Sequence, residues 1–264
     1  MSISQRAADF IEKHGEWTAM AIKLDDGTYT KALAVDRRLK RLVQVARDTI
    51  KKPLSECRIL DLACLEGHYA IKFAMHGAIT LGIEGRGVSV AKCNYAKDSL
   101  GLKNALFVVD DVRNLSAVKY GKFDIVICSG ILYHLPAQDA VSFINSIADV
   151  CSGILLIDTF ISLFGREKIS TTNGLVHDHH YLEHDDNDKF VAEKLWASLD
   201  NKTSFWFTET TLINLLVDAG FTSVMDVFIP TMPPPAPALR SFAVREALAS
   251  GVAPPFVGLT SGLA

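Results

Sequence analysis

The chain has 264 residues, of which 49% are apolar and 22% charged, the balance of an ordinary folded domain. That excludes a disordered, collagen-like or disulfide-framework chain. A formal net charge of −3 argues against a globally basic nucleic-acid binder, and no run of about 18 apolar residues predicts a membrane span.

The opening residues mix Arg6, Asp9, Glu12 and Lys13 among apolar positions, which is not the continuous apolar stretch of a secretory leader. A cytoplasmic protein is therefore expected. Cys57, Cys64, Cys93, Cys128 and Cys151 show no C-x-x-C spacing, so buried, reduced thiols are expected and a cysteine zinc site is not.

Residues 1–52 are expected to form an N-terminal helical cap, interrupted by a turn at Asp25-Asp26-Gly27. Leu39, Leu42, Val43, Ala46 and Ile50 recur at helical spacing, opposite a basic face of Arg37, Arg38, Lys40, Arg41 and Arg47. From residue 53 the pattern changes. Strands are predicted at Arg58–Leu62, Ile79–Ile83, Ala105–Val109, Phe123–Cys128 and Gly153–Ile157. Helices are predicted at Gly67–His76, Val88–Ser99 and Ala137–Val150. Such alternation implies βαβ units and a parallel sheet. The continuously apolar strands fit a sheet covered by helices on both faces.

Residues 160–204 break the alternation. They are polar, rich in His and Asp, and poor in strand signals, so an inserted lid is expected there. A helix at Thr208–Ala219 is closed by Gly220. A strand follows at Ser223–Ile229 and a last one at Leu239–Arg245. The main domain then runs over residues 53–246, and residues 247–264 are expected to be a loose tail.

Acidic residues fall at the ends of these strands: Asp61, Glu84, Asp111 and Asp158. In an open α/β sheet, ligands bind outside the carboxyl ends of the strands. A nucleoside suits such an edge, because a carboxylate accepts both ribose hydroxyls and another accepts from an adenine amino group. Glu84 lies 23 residues beyond Asp61, the spacing of a ribose acceptor. A pyrophosphate would want G-x-G-x-x-G in the first turn. The chain has Ala63-Cys64-Leu65-Glu66-Gly67 instead. Its single glycine and Glu66 disfavour a nicotinamide dinucleotide, and a cationic ligand tolerates that acid.

Four runs then carry a resemblance: I-L-D-L-A-C-L-E-G-H-Y, L-G-I-E-G-R, V-V-D-D-V and F-D-I-V-I-C-S-G-I-L-Y-H-L. Together they resemble the class I S-adenosylmethionine-dependent methyltransferases. That family usually follows its first acidic residue with three alternate glycines. Here Asp61 takes the acidic position, Gly67 the third glycine, and Ala63 and Leu65 the other two. The resemblance implies a Rossmann-like α/β fold with a seven-stranded, mostly parallel sheet, helices on both faces and an antiparallel last strand. It implies S-adenosyl-L-methionine as cofactor, with Asp61, Ala63, Cys64 and Gly67 in the first loop. Glu84 would hold the ribose, Asp111 and Val112 bracket the adenine, and Ser129, Gly130 and Tyr133 flank the methionine part. Trp17, the run from Ile22 to Gly27 and Thr30 are also similar to the opening segment of the transfer-RNA wobble-uridine modifying branch.

His134 follows just beyond the fourth strand, where the acceptor of that family sits. A histidine side chain, ordinarily titrating near pH 6.5, suits removal of a hydroxyl proton near neutral pH, and a loop-holding role is the alternative. Asp158 is expected either to hold a loop or to act in catalysis. Trp17 and Trp206 are candidate stacking surfaces for an acceptor ring. His180 and His184 stand at the i, i+4 spacing of one helix face. A divalent metal there could polarise an acceptor oxygen, but a polar surface insert is the expected reading. Between the two, a lid role without metal would make His180 a substrate contact, and no metal site is assigned. The expected reaction is methyl transfer to an oxygen or nitrogen of a small-molecule acceptor, such as a sugar or natural product. An RNA-modifying enzyme, using the basic helix, and a non-catalytic cofactor-binding regulator are the alternatives.

Overall fold

A computed structural model describes residues 5–31, 37–162, 167–171, 174–182, 198–201, 203–227 and 256–259. The chain divides into two compact units, residues 1–114 with 123–127 and residues 115–122 with 128–264.

In the first unit, β1 (Arg58–Leu62), α3 (His68–Met75), β2 (Ile79–Glu84), α4 (Gly87–Ser99) and β3 (Ala105–Val109) alternate as predicted. β1 pairs in parallel with β2 from Arg58 opposite Ile79 to Leu62 opposite Ile83. β2 pairs in parallel with β3 from Thr80 opposite Ala105 to Glu84 opposite Val109. With β4 (Phe123–Ser129), whose first five residues belong to this unit, the strand order is β3-β2-β1-β4. Ile59, Leu60 and Leu62 are wholly buried, as a strand covered on both faces requires. Ile71 and Ala74 of α3, Val90, Cys93 and Ala96 of α4, and Phe107 of β3 share one apolar cluster.

The same unit includes α1 (Gln5–His14) and α2 (Arg37–Thr49). α2 buries Leu39, Leu42, Val43 and Ala46 and leaves Arg38, Lys40 and Arg47 exposed. The expected turn is a small hairpin. Lys23 bridges Tyr29, the Gly27 N–H donates to the Leu24 carbonyl at 3.1 Å, and Gly27 takes φ 80°.

The second unit contains α5 (Ala117–Tyr120), α6 (Ala137–Val150), β5 (Cys151–Asp158) and α7 (Glu209–Asp218). α6 buries Ala140, Val141, Phe143, Ile144 and Ile147 along one stripe. The Thr208 hydroxyl caps α7 by accepting from the Thr211 N–H at 3.3 Å. β9 (Ser223–Asp226) and β5 both pair antiparallel with β10 (Phe256–Leu259).

Two expectations change here. The strand expected at Leu239–Arg245 lies outside the described residues, and the antiparallel strand observed, β10, falls within the expected loose tail. The 160–204 insert carries real sheet structure. β6 (Glu167–Thr171), β7 (Gly174–Leu182) and β8 (Thr203–Phe207) form a three-stranded antiparallel sheet. Cross-strand pairing overrode the weak β-propensity of the His- and Asp-rich run. All five cysteines are buried thiols outside any disulfide, as expected.

Candidate active site

The loop from β1 to α3 keeps a glycine-type backbone without the glycines. Ala63 has φ 51°, Leu65 φ 50° and Gly67 φ 77°. An L-residue in this left-handed region costs roughly 1–2 kcal/mol, so surrounding contacts must impose it. The Cys64 N–H donates to the Ile83 carbonyl at 3.0 Å, and the Gly67 N–H to the Cys64 carbonyl at 2.8 Å. The Leu65 N–H donates to Glu84 Oε2 at 2.9 Å. The Cys93 thiol donates to the Leu65 carbonyl at 3.3 Å. A Cβ on Gly67 would lie 2.8 Å from Phe107 Cε1 and 2.9 Å from Cys93 Sγ. A Cβ on Gly82 in β2 would lie 2.5 Å from Phe107 Cδ1 and 2.7 Å from Cys64 Sγ. Sequence reasoning passed over Gly82, although a glycine inside a strand signals such a close approach.

Asp61, 2% exposed, accepts from the Ala70 N–H in the first turn of α3 at 3.0 Å. Burial raises its pKa to about 7, opposed by that hydrogen bond and reinforced by the nearby Glu84 charge. Asp61 therefore caps α3 and lines the loop at once. Glu84 is also buried. Its two oxygens accept from the Leu65 and Arg86 N–H groups, each at 2.9 Å. Burial raises its pKa, and the backbone N–H groups oppose that shift. Each carboxylate oxygen has capacity for a second hydrogen bond.

Asp111 is gripped by its own neighbour. The Arg113 guanidinium donates to Oδ1 at 3.0 Å and to Oδ2 at 2.6 Å, and that contact holds the Asp111 pKa below the usual carboxylate range. Asp110 accepts from the Asp111 N–H at 2.9 Å and the Asn114 amide at 3.0 Å. Val112 is buried.

Glu66 does not serve as a repulsive group facing a ligand. It is 2% exposed and bound by the N-terminal segment. The Thr18 N–H donates to it at 2.8 Å, the Ala19 N–H at 2.9 Å and the Thr18 hydroxyl at 3.1 Å. Lys92 of α4, equally buried, forms an ion pair with it at 3.2 Å. Trp17 is corrected too. It is buried, its ring centroid 5.4 Å from that of Phe10 and 5.6 Å from that of Tyr95. That is core packing and leaves no open face for an acceptor.

In the second unit, Ser129 ends β4 and its hydroxyl donates to Asp158 Oδ2 at 3.3 Å. The Gly130 N–H donates to the Asp158 carbonyl at 2.9 Å, and Gly130 takes φ 84°. Asp158 thus holds this loop. Tyr133 and His134 occupy the following 3-10 turn, with ring centroids 4.3 Å apart. The His134 N–H donates to the Ile131 carbonyl at 2.8 Å. Tyr133 lies 4.3 Å from Phe160, and Phe160 stacks on Trp206 at 4.9 Å and 30°. All four rings are half-buried. Phe160 went unremarked in the sequence, because a single aromatic after a strand has no periodic signature. His180 lies on β7 opposite Phe205, and His184 lies outside the described residues. The helical spacing therefore does not apply to His180.

The first loop offers acceptors for the hydroxyl and amino groups of a nucleoside. Residues 61–67 contain no basic side chain, and buried carboxylates at the ends of β1 and β2 offer acceptors for hydroxyl and amino groups. A family profile described as "Methyltransferase domain" matches residues 53–196, more than half of the chain. No curated protein matches in sequence. Solved structures do match in fold. The N-terminal domain of EvdMO1, crystallised in the presence of SAH and D-fucose, has a TM-score of 0.72 at 19% identity, covering 98% of both chains. Full EvdMO1 has a TM-score of 0.59 at 19% identity, with 97% of this chain covering 46% of that one. Magnesium protoporphyrin IX methyltransferase from Synechocystis PCC 6803, with bound SAM, has a TM-score of 0.55 at 17% identity, covering 84% of this chain and 78% of that one. With its parallel βαβ core and the matching profile, the chain belongs to the methyltransferase-domain family, within the class I S-adenosylmethionine-dependent superfamily.

Proposed function

We propose that this protein transfers the methyl group of S-adenosylmethionine to an oxygen or nitrogen of a small, ring-bearing acceptor such as a sugar or natural product. The observation that carries the acceptor class is the row Tyr133, Phe160 and Trp206 next to His134. Half-buried aromatic faces take up planar rings, or the C–H face of a sugar, through area burial and π contact. The EvdMO1 domain crystallised with SAH and D-fucose supports a sugar as the first acceptor to try.

S-adenosylmethionine, when bound, supplies a methyl group already activated on a sulfonium. The chain's own residues bind, orient and exclude water. Glu84 would accept the ribose hydroxyls with its remaining lone pairs. Val112 would pack on the adenine, and Asp111 would meet its amino group at the cost of loosening Arg113. Asp61, Ala63, Cys64 and Gly67 shape the loop against which the cofactor lies. Ser129, Gly130 and Tyr133 would flank its amino-acid part. Alignment of this kind supplies roughly 7–11 kcal/mol of the barrier. His134 would take the acceptor's proton, worth about 10²–10⁴-fold in rate.

The test is labelled-methyl transfer across monosaccharides, phenolic natural products and bulk transfer RNA, with wild type and His134→Ala. Transfer to a small acceptor, slowed at least about a hundredfold by His134→Ala, is the expected result. Transfer to RNA alone, abolished by Arg38→Ala with Arg47→Ala on the exposed face of α2, overturns it. No transfer despite tight cofactor binding makes the protein a regulator.

A further inference from the structure

We propose that Glu66 and Lys92 are positioning residues for the cofactor. They fasten the Glu16–Ala19 segment onto the β1–α3 loop and so hold Ala63 and Leu65 in the left-handed conformation. The inference rests on S-adenosylmethionine binding at this loop.

The backbone poses the problem. Glycines adopt positive φ freely, but Ala63 and Leu65 do not, so the loop needs an external brace. Glu66 sits between Leu65 and Gly67, the second and third positive-φ positions. Both its oxygens are occupied, Oε1 by the Thr18 N–H, the Thr18 hydroxyl and Lys92, and Oε2 by the Thr18 and Ala19 N–H groups. A carboxylate bound this fully fixes its own Cα and limits rotation of the peptides on either side. Lys92 closes the brace by also donating to the Glu16 carbonyl at 2.5 Å. Lys31 Nζ holds the Thr18 carbonyl at 3.1 Å from outside. The next residue along α4, Cys93, bonds the Leu65 carbonyl. One turn of α4 therefore grips the loop both through its backbone and through Glu66.

The ion pair itself argues for this role. Two charges at 2% exposure lose about as much solvation as they gain in attraction, so a buried pair is weak evidence for stability. Its return is geometry, and the geometry it sets is that of the only loop here with two non-glycine residues at positive φ among the described residues.

The experiment is a double-mutant cycle. Glu66→Gln with Lys92→Met removes both charges together, so neither is left buried alone. It is made in wild type and in Leu65→Gly, where the strained position beside Glu66 no longer needs a brace. S-adenosylhomocysteine affinity is measured by calorimetry, and amide exchange over residues 62–67 is measured without ligand. In wild type, affinity should fall at least about tenfold and exchange at the loop should quicken. With Leu65→Gly, the affinity loss should shrink to about threefold or less, because neighbouring sites that act together are non-additive. An equal loss in both backgrounds, or unchanged exchange, overturns the proposal. Thr18→Ala, which deletes only the hydroxyl donor, runs the same cycle at about two- to threefold should the paired variant fail to fold. Faster ligand-free exchange with no S-adenosylhomocysteine binding in the wild type would leave the brace standing and sink the cofactor reading instead.

Discussion

The β1–α3 loop and the Tyr133–Phe160–Trp206 row use opposite physics. The loop is closed by buried ionisable groups: Asp61, Glu84, Glu66 and Lys92 all lie below 5% exposure, and each is hydrogen-bonded to backbone. The row is apolar, half-buried and held by ring contacts. A ligand that never changes rewards a pre-organised site, since ordering is completed before binding. As the acceptor surface we propose, ring faces would discriminate mainly by shape and area, and would tolerate change. Substitutions that break the packing of the loop should therefore act all-or-none, and those in the row should act by degrees.

Gly67→Ala should break the loop outright. The added methyl meets Phe107 and Cys93 below 3 Å at a φ of 77°, so overpacking of about 1–3 kcal/mol adds to a left-handed cost of roughly 1–2 kcal/mol. Urea denaturation should show the loss, and S-adenosylhomocysteine binding should disappear. Wild-type stability with intact binding would mean that the loop is far softer than its packing.

Asp61 comes next and is read by pH. Its carboxyl pKa is raised from 3.8 to about 7 in the folded chain. Between those values the folded state keeps a proton that the unfolded state has released. Stability from this group is thus full below about pH 4 and is lost as pH rises towards 7. At about 1.4 kcal/mol per pKa unit, a few kcal/mol is the ceiling. Asp61→Asn, which can still accept from the Ala70 N–H, should flatten that slope. An unchanged slope in the variant would locate the titration elsewhere. Asp111, held low by Arg113, contributes with the opposite sign, losing its stabilisation as pH falls through its folded pKa.

Much of this was legible in the sequence. The parallel core showed in unbroken apolar strands such as Ile59 to Leu62, and the acids at strand ends fall on the edge where open α/β sheets bind ligands. What escaped was set by contacts between distant residues. The direction of Glu66 depends on Thr18 and Ala19, 48 and 47 residues away, and no spacing rule encodes that. Trp17 reads equally well as a stacking surface or as core until Phe10 and Tyr95 are found against it. The insert hid its strands because polar antiparallel strands lack the apolar runs that reveal buried ones. Phe160 and Trp206 meet across 46 positions and could be joined only in three dimensions.

On the acceptor side, Trp206→Ala should raise the acceptor KM about tenfold, the loss of roughly 1.4 kcal/mol expected for one stacked ring. S-adenosylhomocysteine affinity should not move. Trp206→Phe should recover most of the loss. A fall in kcat at constant KM would show that the ring orients the reacting atoms rather than binding the acceptor.

The smallest effect is the most diagnostic for the loop. Ala63→Gly removes a left-handed penalty of roughly 1–2 kcal/mol but adds about 0.5–1 kcal/mol of unfolded-state entropy, a net gain of about 0–1.5 kcal/mol. Ala63 is half-buried and carries only a methyl group, so little packing is lost. The melting temperature should rise by about 2–4 °C, on the scale for a chain of this size. If it falls instead, the φ of 51° at Ala63 is not strained, and the brace at Glu66 has less to hold.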